Sequence, residues 1–182
     1  RLSLVGSEMC IRDRTGYIPM EKEAWKNILQ TYKDYGINMV RFHSHCPPEA
    51  AFFAADEMGI LMQPELSHWD PKHAFEFDES FSYYQKELRQ IIKALANHPS
   101  FVMLTFGNEL HCGALGTSRM HKMLQDAKKQ DPTRLYANAS NAHYGNEGCD
   151  EESDFYASQS FYNYRIRGTL AGNPETTEEA AK

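Results

Sequence analysis

Apolar residues recur with a helical period near the start of the chain. The apolar positions of this stretch are Trp25, Ile28, Leu29 and Tyr32. Their i, i+3, i+4, i+7 spacing places them on one face of a helix, which buries that face against a core. The pattern therefore predicts a helix over 21–35 that ends at Gly36, because glycine commonly follows the last turn of a helix.

Short apolar runs come after this helix and alternate with further helical patterns. The expected strands are 37–42, 60–63, 101–106, 134–137 and 154–157, and the expected helices between them are 49–58, 79–97 and 117–130. Strands that are apolar on both faces and separated by helices are typical of a parallel sheet covered by helices. The sequence thus predicts the α/β class.

Such a sheet can be an open doubly wound sheet or a (β/α)8 barrel. An open sheet usually begins with a glycine-rich phosphate-binding turn, and no GxGxxG or Walker loop occurs here. A barrel carries its chemistry at the carboxyl ends of its strands, where polar residues do gather. They are Arg41, His43, Glu65, Asn108, Glu109, Asn138 and Gln159. A whole barrel needs about 250 residues, so we expect an incomplete (β/α)8 barrel.

The two ends of the chain differ from its middle. Residues 1–14 (RLSLVGSEMCIRDR) show no helical or strand period that continues into the first helix, and they resemble the translated read-through of a sequencing adapter. We expect a non-native leader at 1–14, the barrel segment at 15–170 and a polar tail at 171–182; the alternative for the leader is a genuine first strand containing Leu2, Leu4 and Val5. With the native start missing from such a chain, the sequence predicts no cellular compartment.

The composition narrows the classes of partner. Nineteen Lys and Arg stand against 25 Asp and Glu, and this net charge of −6 argues against a nucleic-acid groove. The longest apolar runs are far shorter than the roughly 18 residues of a membrane span, so we expect no membrane partner. Four cysteines without a CxxC pair give no metal or disulfide framework. Aromatic residues make up 12%, which fits a sugar-binding cleft and an ordinary core equally well.

The most specific local pattern is an apolar strand that ends in Gly107, Asn108 and Glu109. A carboxylate at a strand end can act as a general acid, a neighbouring amide can donate to a sugar hydroxyl, and glycine lets a ring approach the backbone. The same residues can equally well close the loop after the strand. Spacing alone leaves both interpretations open.

Four ordered segments decide between them. They are 36–47 (GINMVRFHSHCP), 55–65 (ADEMGILMQPE), 97–109 (NHPSFVMLTFGNE) and 131–134 (DPTR). In this order they resemble motifs of glycoside hydrolase family 2, the group of β-galactosidases, β-mannosidases and β-glucuronidases. The resemblance covers about residues 16–164. It departs from the family pattern at Cys46, where the family has tyrosine.

The resemblance implies a TIM barrel, a retaining glycosidase of the β-galactosidase type and a catalytic pair of glutamates. Glu109 aligns with the acid/base, and Asn108 would hold the 2-hydroxyl of the sugar. The nucleophile lies on the seventh strand of the family, whereas the strands here map to about the second to sixth, so no residue is given that role. We therefore expect an inactive fragment that needs no metal or organic cofactor, with a carbohydrate substrate and the missing flanking domains of the parent chain as partners.

Four further residues are expected at the sugar pocket. Arg41 aligns with a family arginine and could hold a catalytic carboxylate ionised, and its alternative is a structural ion pair. His45 is a candidate hydroxyl ligand or a packing histidine. Glu65 is expected to orient its neighbours, and Trp69 is expected either to stack on a sugar ring or to cover the barrel rim.

Two rival interpretations belong to other classes. His43 and His45 form an HxH at a strand end, as metal-dependent amidohydrolases use for a divalent ion, but this leaves the GNE strand unexplained. The other rival is a catalytically dead carbohydrate-binding fragment with the same half-barrel. His143 and Tyr162 are weaker candidates, based only on their loop positions.

Overall fold

The computed structural model describes residues 18–140 and 152–155, together with the backbone of 4–8, 160–161 and 164–165. The elements in chain order are β1 (Leu4–Glu8), α1 (Lys22–Asp34), β2 (Ile37–Phe42), α2 (Glu49–Met58), β3 (Leu61–Gln63), α3 (Asp78–Leu95), β4 (Met103–Thr105), α4 (Ala114–Gln130), β5 (Leu135–Ala137), β6 (Ser160–Phe161) and β7 (Tyr164–Arg165). All four helices and four of the five strands predicted from the sequence are confirmed, with shifts of at most three residues at their ends.

The first five strands are parallel and succeed one another in chain order. Strands β1, β2 and β3 form one sheet, and β4 pairs with β5. Single parallel bridges join Met62 to Phe101 and Glu65 to Thr105, so that β4 lies next to β3. Sequential parallel order with a helix after each strand is the winding of a barrel, whereas a doubly wound sheet reverses its order. The arrangement confirms the incomplete (β/α)8 barrel.

The helices bury one face each, as their periodicity predicts. Trp25 and Leu29 of α1 are buried, and α3 buries its Leu88, Ile91, Ile92 and Leu95. These side chains join the apolar residues of the strands in a single core. Helix α2 ends at Gly59, whose φ of 69° lies in the left-handed region that glycine adopts without a steric penalty. Within the described residues, no helix is both long and apolar enough to cross a bilayer.

Part of the segment expected to be a non-native leader takes part in the sheet. Leu4–Glu8 forms β1, which pairs in parallel with β2 from Ile37 to Phe42. The physical reason is that β2 would otherwise present a row of unpaired backbone groups at the edge of the sheet. Five residues of the expected leader therefore contribute a strand to the sheet. The adapter-like origin of residues 1–14 and the proposed boundaries at 15–170 and 171–182 stay predictions.

The predicted strand at 154–157 is not found where the structure describes it. Asp154 and Phe155 lie outside any strand, and residues 156–157 lie outside the described part. Asp154 braces β5 with its side chain, because its Oδ2 accepts the Tyr136 N–H at 2.9 Å while its own N–H donates to the Tyr136 carbonyl at 2.8 Å. Lys128 Nζ holds the other oxygen of Asp154 at 2.7 Å.

Candidate functional site

Parallel backbone pairing between neighbouring segments continues beyond the carboxyl ends of β3, β4 and β5. The loop after β4 is bridged on one side to Trp69 and on the other to Ser140, in both cases through Asn108. The Asn108 N–H donates to the His68 carbonyl at 3.1 Å, and the Glu109 N–H donates to the Ser140 carbonyl at 2.7 Å. The backbone that carries the GNE motif is thus held from both sides.

The same loop has an unusual backbone. Gly107 has a φ of 142°, and a Cβ at this position would lie 2.2 Å from the His68 carbonyl oxygen. Glu109 has a φ of 52°, which non-glycine residues adopt at a steric cost. Glycine at 107 is therefore required by the close approach of the two backbones, and the position of Glu109 depends on this turn.

Glu65 is the centre of a buried polar network. Its side chain is 0% exposed. Its Oε1 accepts hydrogen bonds from Arg41 Nε at 2.8 Å, Thr105 Oγ1 at 3.0 Å and Ser140 Oγ at 2.6 Å, and its Oε2 accepts the Ser44 N–H at 2.7 Å. These donors come from the ends of β2, β4 and β5. Glu65 therefore ties the carboxyl ends of the strands together, and its expected role of orienting neighbours at a sugar pocket stays a prediction.

Arg41 links this network to the GNE motif. Its Nε donates to Glu65, and its Nη2 donates to Asn108 Oδ1 at 2.9 Å. Asn108 is 0% exposed, so its amide oxygen is fixed on the arginine side. Arg41 does not pair with Glu109 among the described contacts. Its observed partner is Glu65, which corresponds to the structural ion pair rather than to a contact with the candidate acid.

Glu109 itself lies half-buried beside this network. Its Oε2 accepts a hydrogen bond from the indole Nε1 of Trp69 at 3.1 Å. Trp69 is 57% exposed, in the loop after β3. The structure thus brings five of the six predicted site residues to one edge of the sheet: Arg41, Glu65, Trp69, Asn108 and Glu109.

His45, the sixth, packs close to the end of β2. Its ring meets Phe42 edge-on, with 5.5 Å between the ring centroids, and its Nδ1 lies 3.2 Å from the His43 carbonyl oxygen. The packing alternative is thus observed, and binding of a sugar hydroxyl stays a prediction.

Residues 18–140 and 152–155 contain no group of three or more His, Cys, Asp and Glu side chains arranged to hold a metal ion. In addition, burial raises the pKa of Cys46 to about 12, so this thiol stays protonated.

Sequence reasoning missed three residues that build the site. Thr105 and Ser140 donate to Glu65, and His68 supports the loop after β4. Burial lowers the pKa of His68 to about 4, against a weaker opposite effect of Asp70, so its ring is neutral at physiological pH. Thr105 is a polar residue at the end of the apolar strand β4, two residues before Gly107, and this position could have indicated its place in the site. His143, Gln159 and Tyr162 lie outside the described residues.

The NHPS motif lies at the opposite end of β4. His98 Nδ1 lies 2.6 Å from Asp56 Oδ2, and the Ser100 N–H donates to Asp56 Oδ1 at 2.9 Å. Arg134, from the DPTR motif, donates to the His98 carbonyl at 3.3 Å. These motif residues join α2 to the turns before β4 and β5. They take no part in the cluster around Glu109.

Comparison with known proteins agrees with this geometry. The family model "Glycosyl hydrolases family 2, TIM barrel domain" matches residues 12–180. A putative beta-glucuronidase of Formosa agariphila is 32% identical over 122 residues, which are 64% of this chain and 11% of that protein.

Solved structures show the same fold. The beta-glucuronidase of Parabacteroides merdae superposes with a TM-score of 0.69 at 20% identity, over 87% of this chain and 20% of its own. The Eisenbergiella tayi GH2 beta-galacturonidase bound to galacturonate gives 0.60 at 21% identity, over 76% and 24%. The chain thus spans a quarter or less of each relative. Since the family model covers most of its residues, the chain belongs to glycosyl hydrolase family 2, as part of the TIM barrel domain.

Proposed function

We propose that this chain is part of the catalytic barrel of a retaining glycosidase, in which Glu109 is the general acid/base. The observation that carries the proposal is the position of Glu109 in a family 2 barrel domain. Its half-buried carboxylate comes after β4 at the carboxyl edge of the sheet, directly after an asparagine that the Arg41–Glu65 pair holds. Catalytic groups of (β/α)8 barrels come from this edge.

In this mechanism Glu109 acts twice. It first protonates the glycosidic oxygen while the bond between that oxygen and the anomeric carbon breaks, and it then takes a proton from the water that releases the sugar. Between these two steps the anomeric carbon is bonded to an oxygen of a second carboxylate, the nucleophile, which lies about 5–5.5 Å from the first, and the water then displaces that carboxylate. We propose that this nucleophile comes from a part of the protein outside this chain, so that the chain alone does not turn over substrate. The mechanism requires no metal and no organic cofactor.

Asn108 and its partners orient the sugar. The Arg41 guanidinium binds Oδ1 of Asn108, which fixes the rotation of the amide plane. An amide fixed in this way donates an N–H towards the 2-hydroxyl without first losing rotational freedom. Glu65 keeps Arg41 in place, and thereby acts on the substrate only through its neighbours.

The names of the relatives narrow the class of sugar that we propose as the substrate. The Formosa and Parabacteroides proteins are called beta-glucuronidases, and the Eisenbergiella protein is called a beta-galacturonidase. Both names denote glycosides of hexuronic acids, which carry a carboxylate in place of the neutral hydroxymethyl group of galactose. We therefore propose a β-hexuronide substrate, more specific than the β-galactosidase-like activity that the sequence motifs imply. Hydrolysis by the full-length protein of p-nitrophenyl β-glucuronide or β-galacturonide, but not of β-galactoside, is the expected result.

The acid/base assignment is tested by Glu109→Gln in the full-length protein that carries this segment. The amide cannot transfer the proton, so kcat/KM for a glycoside with a poor leaving group should fall by roughly 10²–10⁴-fold. A dinitrophenyl glycoside needs little protonation, and its kcat/KM should fall much less. Glu57→Gln, on the exposed surface of α2, is the control. Unchanged hydrolysis of the poor leaving group would refute the assignment, and sugar binding without any turnover by the wild type would indicate a binding domain.

A further inference from the structure

Trp69 combines a hydrogen bond to the candidate acid with a largely exposed ring. Its indole N–H donates to Glu109 Oε2 at 3.1 Å, while more than half of its surface remains exposed. Trp25 is the other tryptophan of the chain, and it shows what a structural tryptophan looks like here. It is 1% exposed, and its Nε1 donates to the Pro19 carbonyl at 2.8 Å.

The hydrogen bond distinguishes the two oxygens of the Glu109 carboxylate. An indole N–H is only a donor, and a carbonyl-type oxygen accepts it better than a protonated one, so the bond favours the proton on the other oxygen. Since Trp69 binds Oε2, the proton of the acid form belongs on Oε1. The parallel bridge between Trp69 and Asn108 keeps the two loops in register, which fixes the indole relative to the carboxylate.

The exposed face of the indole has a position set by the same contact. A general acid meets the leaving-group oxygen of its substrate, so a ring that touches the acid lies near the leaving group. A flat aromatic surface at this place suits a group with an apolar face, such as a second sugar ring or an aryl group.

Resting on the function proposed above, we propose that Trp69 is a positioning residue for Glu109 and the wall of the leaving-group subsite. Its N–H holds Oε2 and directs Oε1 at the glycosidic oxygen, and its ring contacts the leaving group. The proposal thus places the predicted stacking of Trp69 on the leaving-group side of the scissile bond.

The test compares Trp69→Phe, Trp69→Ala and Trp25→Phe in the full-length protein, with aryl glycosides of graded leaving-group pKa. Phenylalanine retains a ring but has no N–H. In Trp69→Phe, kcat/KM should fall roughly three- to tenfold for poor leaving groups and stay close to wild type for activated ones, since one hydrogen bond that positions the protonated carboxyl is lost. Trp69→Ala should lose, in addition, the preference for aryl over small alkyl leaving groups. Trp25→Phe removes an indole hydrogen bond elsewhere and should leave the dependence on leaving group unchanged.

The outcomes separate this inference from the function on which it rests. If Glu109→Gln abolishes hydrolysis of poor leaving groups while Trp69→Phe keeps the wild-type dependence, the positioning role of Trp69 is wrong and the acid assignment stands. If Trp69→Ala retains the aryl preference, the wall of the subsite is not Trp69. If Glu109→Gln has no effect on poor leaving groups, the proposed function itself fails.

Discussion

The two ends of the barrel segment each contain a carboxylate that collects hydrogen bonds from several elements. At the carboxyl end, which we call the rim cluster, Glu65 accepts from Arg41, Ser44, Thr105 and Ser140. At the amino end, the floor cluster, Asp56 accepts from His98 and Ser100. Family-like sequence motifs run through both ends.

The difference lies in burial and in what the carboxylate serves. Glu65 is fully buried, and its network ends at Asn108, next to the candidate acid. Asp56 retains a 20% exposed side chain and only clamps the turn before β4. In the motif around β4, the NHPS residues therefore hold the turn before the strand, and the GNE residues after the strand carry the candidate acid. The two ends should respond differently to mutation.

The largest effect is expected at the centre of the rim cluster. Glu65→Ala leaves the Arg41 guanidinium, whose side chain is 12% exposed, without its carboxylate partner, and it leaves two hydroxyl donors without an acceptor. Breaking a buried ion pair in this way costs about 3–5 kcal/mol of unfolding free energy. Urea denaturation followed by circular dichroism measures it. A loss below about 1 kcal/mol would show that water replaces the carboxylate and that the rim cluster is not truly closed.

The next effect concerns the backbone on which the candidate acid depends. Gly107→Ala would place a methyl group 2.2 Å from the His68 carbonyl oxygen at a φ of 142°, so we expect a loss of about 3 kcal/mol or more. Gly59→Ala is the matched control, because its φ is also positive at 69° but nothing lies within 4 Å of the added Cβ. It should cost only about 1–2 kcal/mol. Equal losses in the two variants would show that the close approach at His68 relaxes without difficulty.

The fold could be predicted from the sequence to a greater extent than the site. The helical spacing around Trp25 and Leu29 and the apolar runs of β2 and β4 depend on local pattern, which one sequence carries in full. The positions of Arg41, Glu65 and Asn108 at the ends of successive strands also predicted that these residues meet, because parallel strands end at one edge. The pairing of β1 was missed because it depends on an available edge of β2 rather than on any pattern within Leu4–Glu8.

The contacts within the site depend on long-range geometry. Ser140 is 75 residues from Glu65 and donates to it at 2.6 Å, yet nothing in the local sequence of a single serine indicates this partner. The Trp69–Glu109 bond likewise joins two loops 40 residues apart. Sequence reasoning identified both Trp69 and Glu109 but assigned no contact between them, since only the register of the loops after β3 and β4 creates it.

A smaller effect with a defined pH dependence is expected in the floor cluster. Burial by itself raises the pKa of Asp56, but the hydrogen bonds from Ser100 and His98 outweigh it and hold the pKa below the usual 3.8. A carboxylate with a lowered pKa stabilises the folded state above its unfolded pKa, and this contribution is lost as the pH falls through the folded value. Asp56→Asn should therefore cost about 1–2 kcal/mol at pH 7, and the difference from wild type should shrink below about pH 4. A difference that is independent of pH would show that the charge of Asp56 does not matter.

The smallest effect is expected one residue further along α2, where Glu57 gives the sharpest test of the comparison. Hydrogen bonds from Lys22 and then Lys26 lower the pKa of Glu57 to about 2. Its side chain is 46% exposed, however, so water and salt screen these charges, and the shift overstates what the contact contributes to stability. Glu57→Gln should therefore move the urea midpoint less than Asp56→Asn, and added salt should remove most of what remains. Because the two positions are adjacent on one helix, both substitutions act in the same element, and they differ in the burial and the partners of the carboxylate. If Glu57→Gln proved as costly as Asp56→Asn, burial would not be what separates an anchoring carboxylate from a surface one in this molecule.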